Sequence, residues 1–448
     1  MTTHAGKPAG AAAGGAGAAE SYPGPGSSAF GADVARVRFG RLVCVMLAAF
    51  GWTTVLVMGR AMLARNPPAA GFDLQLLLDA AARVAAGGSP YDPNAVAHGV
   101  EARDLFYSYP PLVAQFLVPF SGLPTWLILT CWGLGAAAGL AAVAALIPRS
   151  PIGRPAQMVH GLSLDATLLT LALAPYFFPF FFAVLFGNID AWFPLLFGVA
   201  VLGIAGRATE QGSAHRPAPA PNALAALAGG AALAIASAVK LHPATILVWF
   251  AARLRRPITT QASLLRPIGA AAVAGMAILG ASLALGGLGP WREYFDFLGL
   301  ASSAGLASQV NIGPASQLTL VLGNPEMARP LAAFFAFAAL AGTLAAARLV
   351  RDPLESVAWA IVASLIVLPV TWYHYPVALI PVAVAAWTRS RTGDRSRRVT
   401  VLLLAALAVA DVAVLLPVAM WIGIALLLAS VRAARPGDTE AVARRPIA

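Results

Sequence analysis

What most constrains the fold of this chain is a succession of apolar runs, about 12 in all, most of them close to the ~20 residues that a hydrocarbon core ~30 Å thick demands of a helix. The first ends at Met58; the others cover roughly 123–147, 163–185, 189–205, 222–240, 243–252, 268–287, 330–348, 355–370, 374–388, 399–416 and 418–431. Only 11% of the 448 residues are charged, where a soluble domain carries about 25%. The expected fold class is an all-α polytopic membrane protein.

Arginine placement gives the succession a direction. Arg36, Arg38 and Arg41 precede the first run, so its basic flank stays in the cytoplasm and the run leads outward as an uncleaved anchor. With about 12 crossings, the loops holding Arg149 and Arg154, Arg207 and Arg216, Arg253 to Arg266, Arg348 and Arg351, and Arg389 to Arg398 all fall inside. The arginine-poor segments 60–122, 186–189, 288–329 and 371–376 all fall outside. That parity requires Tyr109–Phe120, YPPLVAQFLVPF, to dip into the membrane without crossing, shielded by protein. If this segment does cross, the short run at 243–252 must not. The formal charge of +11 is therefore read as a topology signal, and no nucleic-acid partner is expected. Cys44 and Cys131 lie within runs, which indicates neither a disulfide framework nor a cysteine metal site. Residues 1–35, mostly Ala, Gly, Ser and Pro, are expected to form a disordered cytoplasmic tail, 36–431 the membrane domain, and 432–448 a second cytoplasmic tail. The Ala, Gly, Pro and Arg bias, with Lys only at 7 and 240, resembles a GC-rich bacterial genome and points to a bacterial plasma membrane.

The stretch Gly71 to Pro93, GFDLQLLLDAAARVAAGGSPYDP, is neither a span nor an ordinary loop. Leu74, Leu77, Leu78, Ala81, Ala82 and Ala85 recur at helical spacing, with Gln75, Asp79 and Arg83 opposite them and Asp79 and Arg83 placed to pair. Gly87-Gly88 ends the helix. A helix too short to span and lying along the membrane surface fits this pattern. Asp73, flanked by Phe72 and Leu74 at its start, is the candidate catalytic base; the plainer alternative is that it caps the helix.

Other polar residues sit inside or beside runs. Lys240, in ASAVKLHPATIL, ends the run from 222 in a chain where nearly every other basic residue is Arg. A charge at a helix centre costs ~2.5–3.5 kcal/mol on insertion scales, and a compact ammonium suits a phosphate better than a planar fork does. His242 and Pro243 follow and break the helix. Gly187-Asn188-Ile189-Asp190 joins two runs, Asn311 lies in the outer segment with Trp291, Glu293 and Tyr294, and Trp372-Tyr373-His374-Tyr375-Pro376 starts another span. Singly these read as turn residues, an aromatic belt or a capped helix end; under the topology above they share one face with Asp73 and Tyr109.

The motifs occur in the order FD-x7-A-A-x4-G-G-x-P-Y-D-P, YPP, GN, KLHP and LP-x-x-W-x-H. From about Arg41 to Ala429 the chain resembles the polytopic bacterial glycosyltransferases of family 87, which have the GT-C fold and include polyprenyl-phosphate-mannose-dependent α-mannosyltransferases of actinobacteria and a related arabinofuranosyltransferase group. The resemblance implies Asp73 as general base and His374 as an active-site residue; the GN turn departs from the Gln that often follows the Gly. Lys240 and His242 would neutralise a leaving lipid phosphate, and Asp73 would take the acceptor proton. Tyr109, Asn188, Asp190, Asn311 and Trp372 are candidate substrate contacts. The expected reaction is an inverting transfer of a sugar, mannose favoured, from a polyprenyl-phosphate donor to a lipid-linked or cell-envelope acceptor on the extracytoplasmic face, with no metal or other cofactor. The alternatives are an arabinofuranosyl donor, or a secondary transporter using Asp165 and Asp411.

Overall fold

The computed structural model describes residues 27–65, 69–92, 107–150, 152–155, 159–205, 223–253, 261–306, 310–391, 395–413 and 415–435, and among them there are helices and turns but no strands. Two units are distinguished, Met1–Val43 and Cys44–Ala448. Helix α1 (Ser27–Leu63) begins in the first and continues in the second. The tail expected over 1–35 lies outside the described residues as far as residue 26, and the one expected over 432–448 does so from 436; from Ser27 the chain is already helical.

The succeeding helices are α2 (Phe72–Ala85), α3 (Pro111–Leu117), α4 (Thr125–Leu146), α5 (Leu162–Leu173), α6 (Phe178–Leu185), α7 (Phe193–Ala205), α8 (Ala223–Val239) and α9 (Ala244–Arg253). They are followed by α10 (Gln261–Gly286), α11 (Gly289–Gly305), α12 (Pro314–Leu322), α13 (Ala328–Leu349), α14 (Pro353–Ile366), α15 (Ile380–Arg389), α16 (Arg395–Val412) and α17 (Val418–Ala433). Among the described residues, 4 stretches are long and apolar enough to cross a membrane: Ala35–Leu63, Thr125–Arg149, Leu265–Gly286 and Pro325–Leu349. The pair Leu162–Tyr176 and Phe178–Leu185, bent by 74°, makes a fifth if it counts as one span. The remaining apolar helices are shorter, so length and composition account for 4 or 5 spans where the sequence reading had about 12.

Chain ends and pairings show why the short helices matter. Helix α9 starts just after His242 and ends at Arg253, whose guanidinium donates to the carbonyls of Ala347, Val350 and Arg351 and to Ser356 Oγ. Arg389 pairs with Asp352 at 2.9 Å, and Arg435 contacts Glu355 in the first turn of α14. At the other end of α14, Ser364 Oγ lies 3.3 Å from His242 Nδ1. The arginines thus gather at one end of α14 and the motif residues at the other. Helix α9 has 10 residues, so these two levels are only about 15 Å apart along it, half of a ~30 Å hydrocarbon core.

The long segments on either side of α3 and around α11 pack on one another. Leu77, Ala80, Ala81, Tyr91, Tyr107, Val113, Ala114, Tyr294 and Phe297 form one buried cluster. Helix α3 has 7 residues, about 10 Å, too short to cross. Its partner α2 turns a slightly different face inward than the sequence pattern predicts: Ala80 is buried while Ala82 and Ala85 are exposed, because Tyr91 and the aromatic side chains of α11 approach from the Ala80 and Val84 side. The expected Asp79–Arg83 pair is not formed. Asp79 accepts from Gln75 Nε2 (2.7 Å), and Arg83 reaches instead to the Pro90 carbonyl (2.5 Å), which pins the turn that ends the helix.

Candidate active site

The site is built where α6 ends. Gly187 follows that helix at φ 66°, a left-handed conformation that glycine adopts without a Cβ penalty. A Cβ there would stand 2.6 Å from Leu74 Cβ, so this glycine also permits α2 to approach. The approach is fixed by backbone bonds: Gly71 N–H donates to the Leu185 carbonyl (2.9 Å) and Leu74 N–H to the Phe186 carbonyl (3.1 Å). The free carbonyls at the end of α6 thereby satisfy free amides at the start of α2. Asp73 is consequently not the cap of its helix; Gly71 occupies that position, with no side-chain cap. The carboxylate is left for other use.

Its partner is Asn188, buried at 3% exposure, whose Nδ2 donates to Asp73 Oδ2 at 2.7 Å and lies 3.4 Å from Tyr109 Oη. Asn188 Oδ1 accepts the Asp190 N–H (2.9 Å) and caps the short turn Ile189–Trp192. Two residues on, Asp190 is fully buried, with Lys240 Nζ at 2.7 Å from Oδ1 and His374 Nε2 at 3.4 Å from Oδ2. Lys240 also stands 4.1 Å from the centre of the Tyr375 ring and 5.5 Å from that of Tyr109, positions in which aromatic faces favour a cation. Half-buried Asp73 has its pKa pushed up to about 6, chiefly by burial; the Asn188 hydrogen bond and then Lys240 oppose that rise, and Asp190 adds to it. A carboxylate tuned toward neutral pH is what general-base chemistry asks for.

Of the residues expected from the sequence, Asp73, Tyr109, Asn188, Asp190, Lys240 and His374 thus form one connected cluster. His242 adjoins it: its ring stacks on Tyr375 (5.3 Å, 14°), and its buried Nε2 has no hydrogen-bond partner among the described residues. Asn311 is placed as a brace. Its side chain accepts from Gly313 N–H (2.8 Å) and Thr371 N–H (2.9 Å) and donates to the Pro369 carbonyl (3.0 Å), tying two outer segments together. Trp372 is half-buried against the main core, its carbonyl accepting the Tyr375 N–H at 3.1 Å. Tyr375 and Ser364 were not singled out by sequence reasoning, although Tyr375 lies beneath both Lys240 and His242 and Ser364 holds the His242 ring. Asp411, which a transporter would use for ion coupling, accepts the Phe178 N–H (2.9 Å) and so caps α6 from a distant helix.

No curated protein and no solved structure matches the chain. The model of glycosyltransferase family 87 matches residues 107–371, which takes in Tyr109, Asn188, Asp190, Lys240 and His242 and stops short of Asp73 and His374. With that match over more than half of its length, and with its apolar helices, the chain belongs to glycosyltransferase family 87 and is a membrane glycosyltransferase.

Proposed function

We propose that this enzyme transfers a sugar, mannose favoured, from a polyprenyl-phosphate donor to a lipid-linked or cell-envelope glycan acceptor with inversion at the anomeric carbon. The observation that carries the reading is the meeting of a tuned carboxylate, Asp73, and a buried ammonium, Lys240, on one short turn, Asn188 to Asp190. The acceptor oxygen bonds to the anomeric carbon and loses its proton to Asp73 as the bond from that carbon to the phosphate oxygen breaks. The electron pair leaves with the polyprenyl phosphate, whose growing charge Lys240 meets. An ammonium has three donors; Asp190 engages one and leaves others for phosphate oxygens. His242, with a buried Nε2 unsatisfied, is a second partner for that phosphate. His374 steadies Asp190, Asn188 holds Asp73, and Tyr109 lies against the same Asn188 amide. Asn311 and Trp372, on the turns around the cluster, complete the proposed substrate contacts.

The same reading sets the enzyme in a bacterial plasma membrane with about 12 crossings, several by short or bent helices, and an extracytoplasmic site. In favour of that sidedness, the paired arginines of α9, α15 and the end of α17 lie at the opposite end of α14 from Ser364. The test is transfer from a panel of labelled polyprenyl-phosphate sugars, mannose and arabinose included, by the wild type and by Asp73→Asn. General-base assistance is worth ~10²–10⁴-fold, so turnover by the variant should fall by at least about a hundredfold with donor binding retained. Transfer at a near wild-type rate would remove Asp73 from the mechanism.

A further inference from the structure

Far from this cluster, at the arginine-rich end, the start of α16 and the end of α17 enclose a groove lined by Arg397, Arg398 and Arg432 above Val401, Leu402, Ala429 and Ala433. The neighbouring arginines Arg253, Arg389 and Arg435 are all engaged, by carbonyls or by the carboxylates of Asp352 and Glu355. Arg397, Arg398 and Arg432 are exposed, and their guanidinium groups make no hydrogen bond or ion pair with any described residue. Two of them occupy the first turn of α16, which carries no acidic residue there, so their charges add to the positive end of the helix dipole instead of opposing it. Arg397 and Arg398 are therefore unfavourably placed without an anion, whereas Arg432, in the last turn of α17, stands where the dipole favours a cation and adds a third guanidinium to the same groove. The wall beneath them is apolar, and Val401 is 57% exposed.

We propose that this groove binds the phosphate headgroup of an anionic phospholipid, with an acyl chain running along Val401 and Leu402. The chemistry matches at both ends: planar guanidinium forks take phosphate oxygens bidentately, and basic pockets between membrane helices suit anionic headgroups. The apolar wall distinguishes a lipid from a free anion, which would have no use for it. The site is separate from the sugar-transfer chemistry and does not depend on the roles of Asp73 or Lys240.

The experiment uses the full-length protein in neutral detergent, titrated with dioleoylphosphatidylglycerol, dioleoylphosphatidylcholine or sodium phosphate and read by thermal unfolding and by lipid adducts in native mass spectrometry. Phosphatidylglycerol should bind and raise the unfolding temperature, while phosphatidylcholine and inorganic phosphate should not. Each arginine near an anionic headgroup contributes roughly a fivefold affinity gain, so R397Q/R398Q/R432Q should bind on the order of a hundredfold more weakly. R36Q/R38Q/R149Q, with the same loss of charge elsewhere, should bind as the wild type does. If the triple variant fails to fold, R398Q alone should show about the fivefold loss. Unchanged lipid affinity in R397Q/R398Q/R432Q or R398Q, an equal loss in R36Q/R38Q/R149Q, or equal protection by inorganic phosphate would each overturn the proposal.

Discussion

Replacing Asn188 by serine isolates the hydrogen bond that tunes the proposed base. Serine retains an oxygen to accept the Asp190 N–H and cap the turn, but its side chain is too short to replace the 2.7 Å bond to Asp73. A hydrogen bond to a charged group contributes about 1.5–3 kcal/mol. At 1.36 kcal/mol per pKa unit, its loss raises the Asp73 pKa by about one to two units. The sign follows from which form the bond favours. Asn188 donates to the carboxylate, so without it the protonated, inactive form persists to higher pH. The acidic limb of kcat/KM, set by a pKa of about 6 in the wild type, should therefore move to about 7–8. At pH 6.5 the ionised fraction falls roughly 3-fold to 25-fold, and most of the activity returns above pH 9. A pH–rate profile with a labelled lipid-phosphate donor reads this directly. An acidic limb that stays in place while the rate drops equally at every pH would refute the reasoning, because Asp73 would then not be the group that titrates.

Other outcomes follow from the same geometry. Lys240→Met leaves the fully buried Asp190 without its ammonium, at a cost of about 3–5 kcal/mol, so it should lower the unfolding temperature sharply. Lys240→Met with Asp190→Asn should recover most of that stability and still transfer no sugar; a double variant that stays unstable would show that Asp190 is not the source of the penalty. Gly187→Ala combines a left-handed backbone, about 1–2 kcal/mol, with overpacking against Leu74, about 1–3 kcal/mol, and unfolding in detergent should show the sum. In a Cys44→Ser, Cys131→Ser background, an impermeant thiol reagent applied to intact cells should label Asp92→Cys and spare Arg391→Cys; the reverse pattern would invert the topology.

The sequence announced the parts of the candidate site whose chemistry is out of place in an apolar chain. Asp73, Lys240 and His374 could be picked out because a charge or an imidazole beside an apolar run asks for a reason. Asn188 showed itself through the glycine before it. Ser364 could not be found this way: a serine in an apolar helix is ordinary, and only the fold brings it to His242. Tyr375 was visible but indistinguishable from an interfacial aromatic until Lys240 was seen over its ring. Helical periodicity gave α2 its existence and end, yet missed its rotation, because the Tyr91, Tyr294 and Phe297 side chains that set it come from elsewhere in the chain. Counting apolar runs could not separate a helix of spanning length from a 10-residue one such as α9, since both are apolar along nearly their whole length.

That brief helix gives the enzyme two electrostatic regimes. Just before it, Lys240 pairs with Asp190 inside the protein, where the side chains are 9% and 0% exposed and mobile counterions do not reach. At physiological ionic strength dissolved salt screens exposed charges beyond about 8 Å, but buried pairs far less. The Asp190–Lys240 contact should therefore keep its strength from dilute buffer to molar salt, and with it the proposed grip on a departing phosphate. The three open arginines of α16 and α17 lie in the other regime, where each added increment of salt weakens the hold on an anionic headgroup. Ionic strength should thus weaken the proposed headgroup contact at this groove while leaving the buried Asp190–Lys240 pair undisturbed.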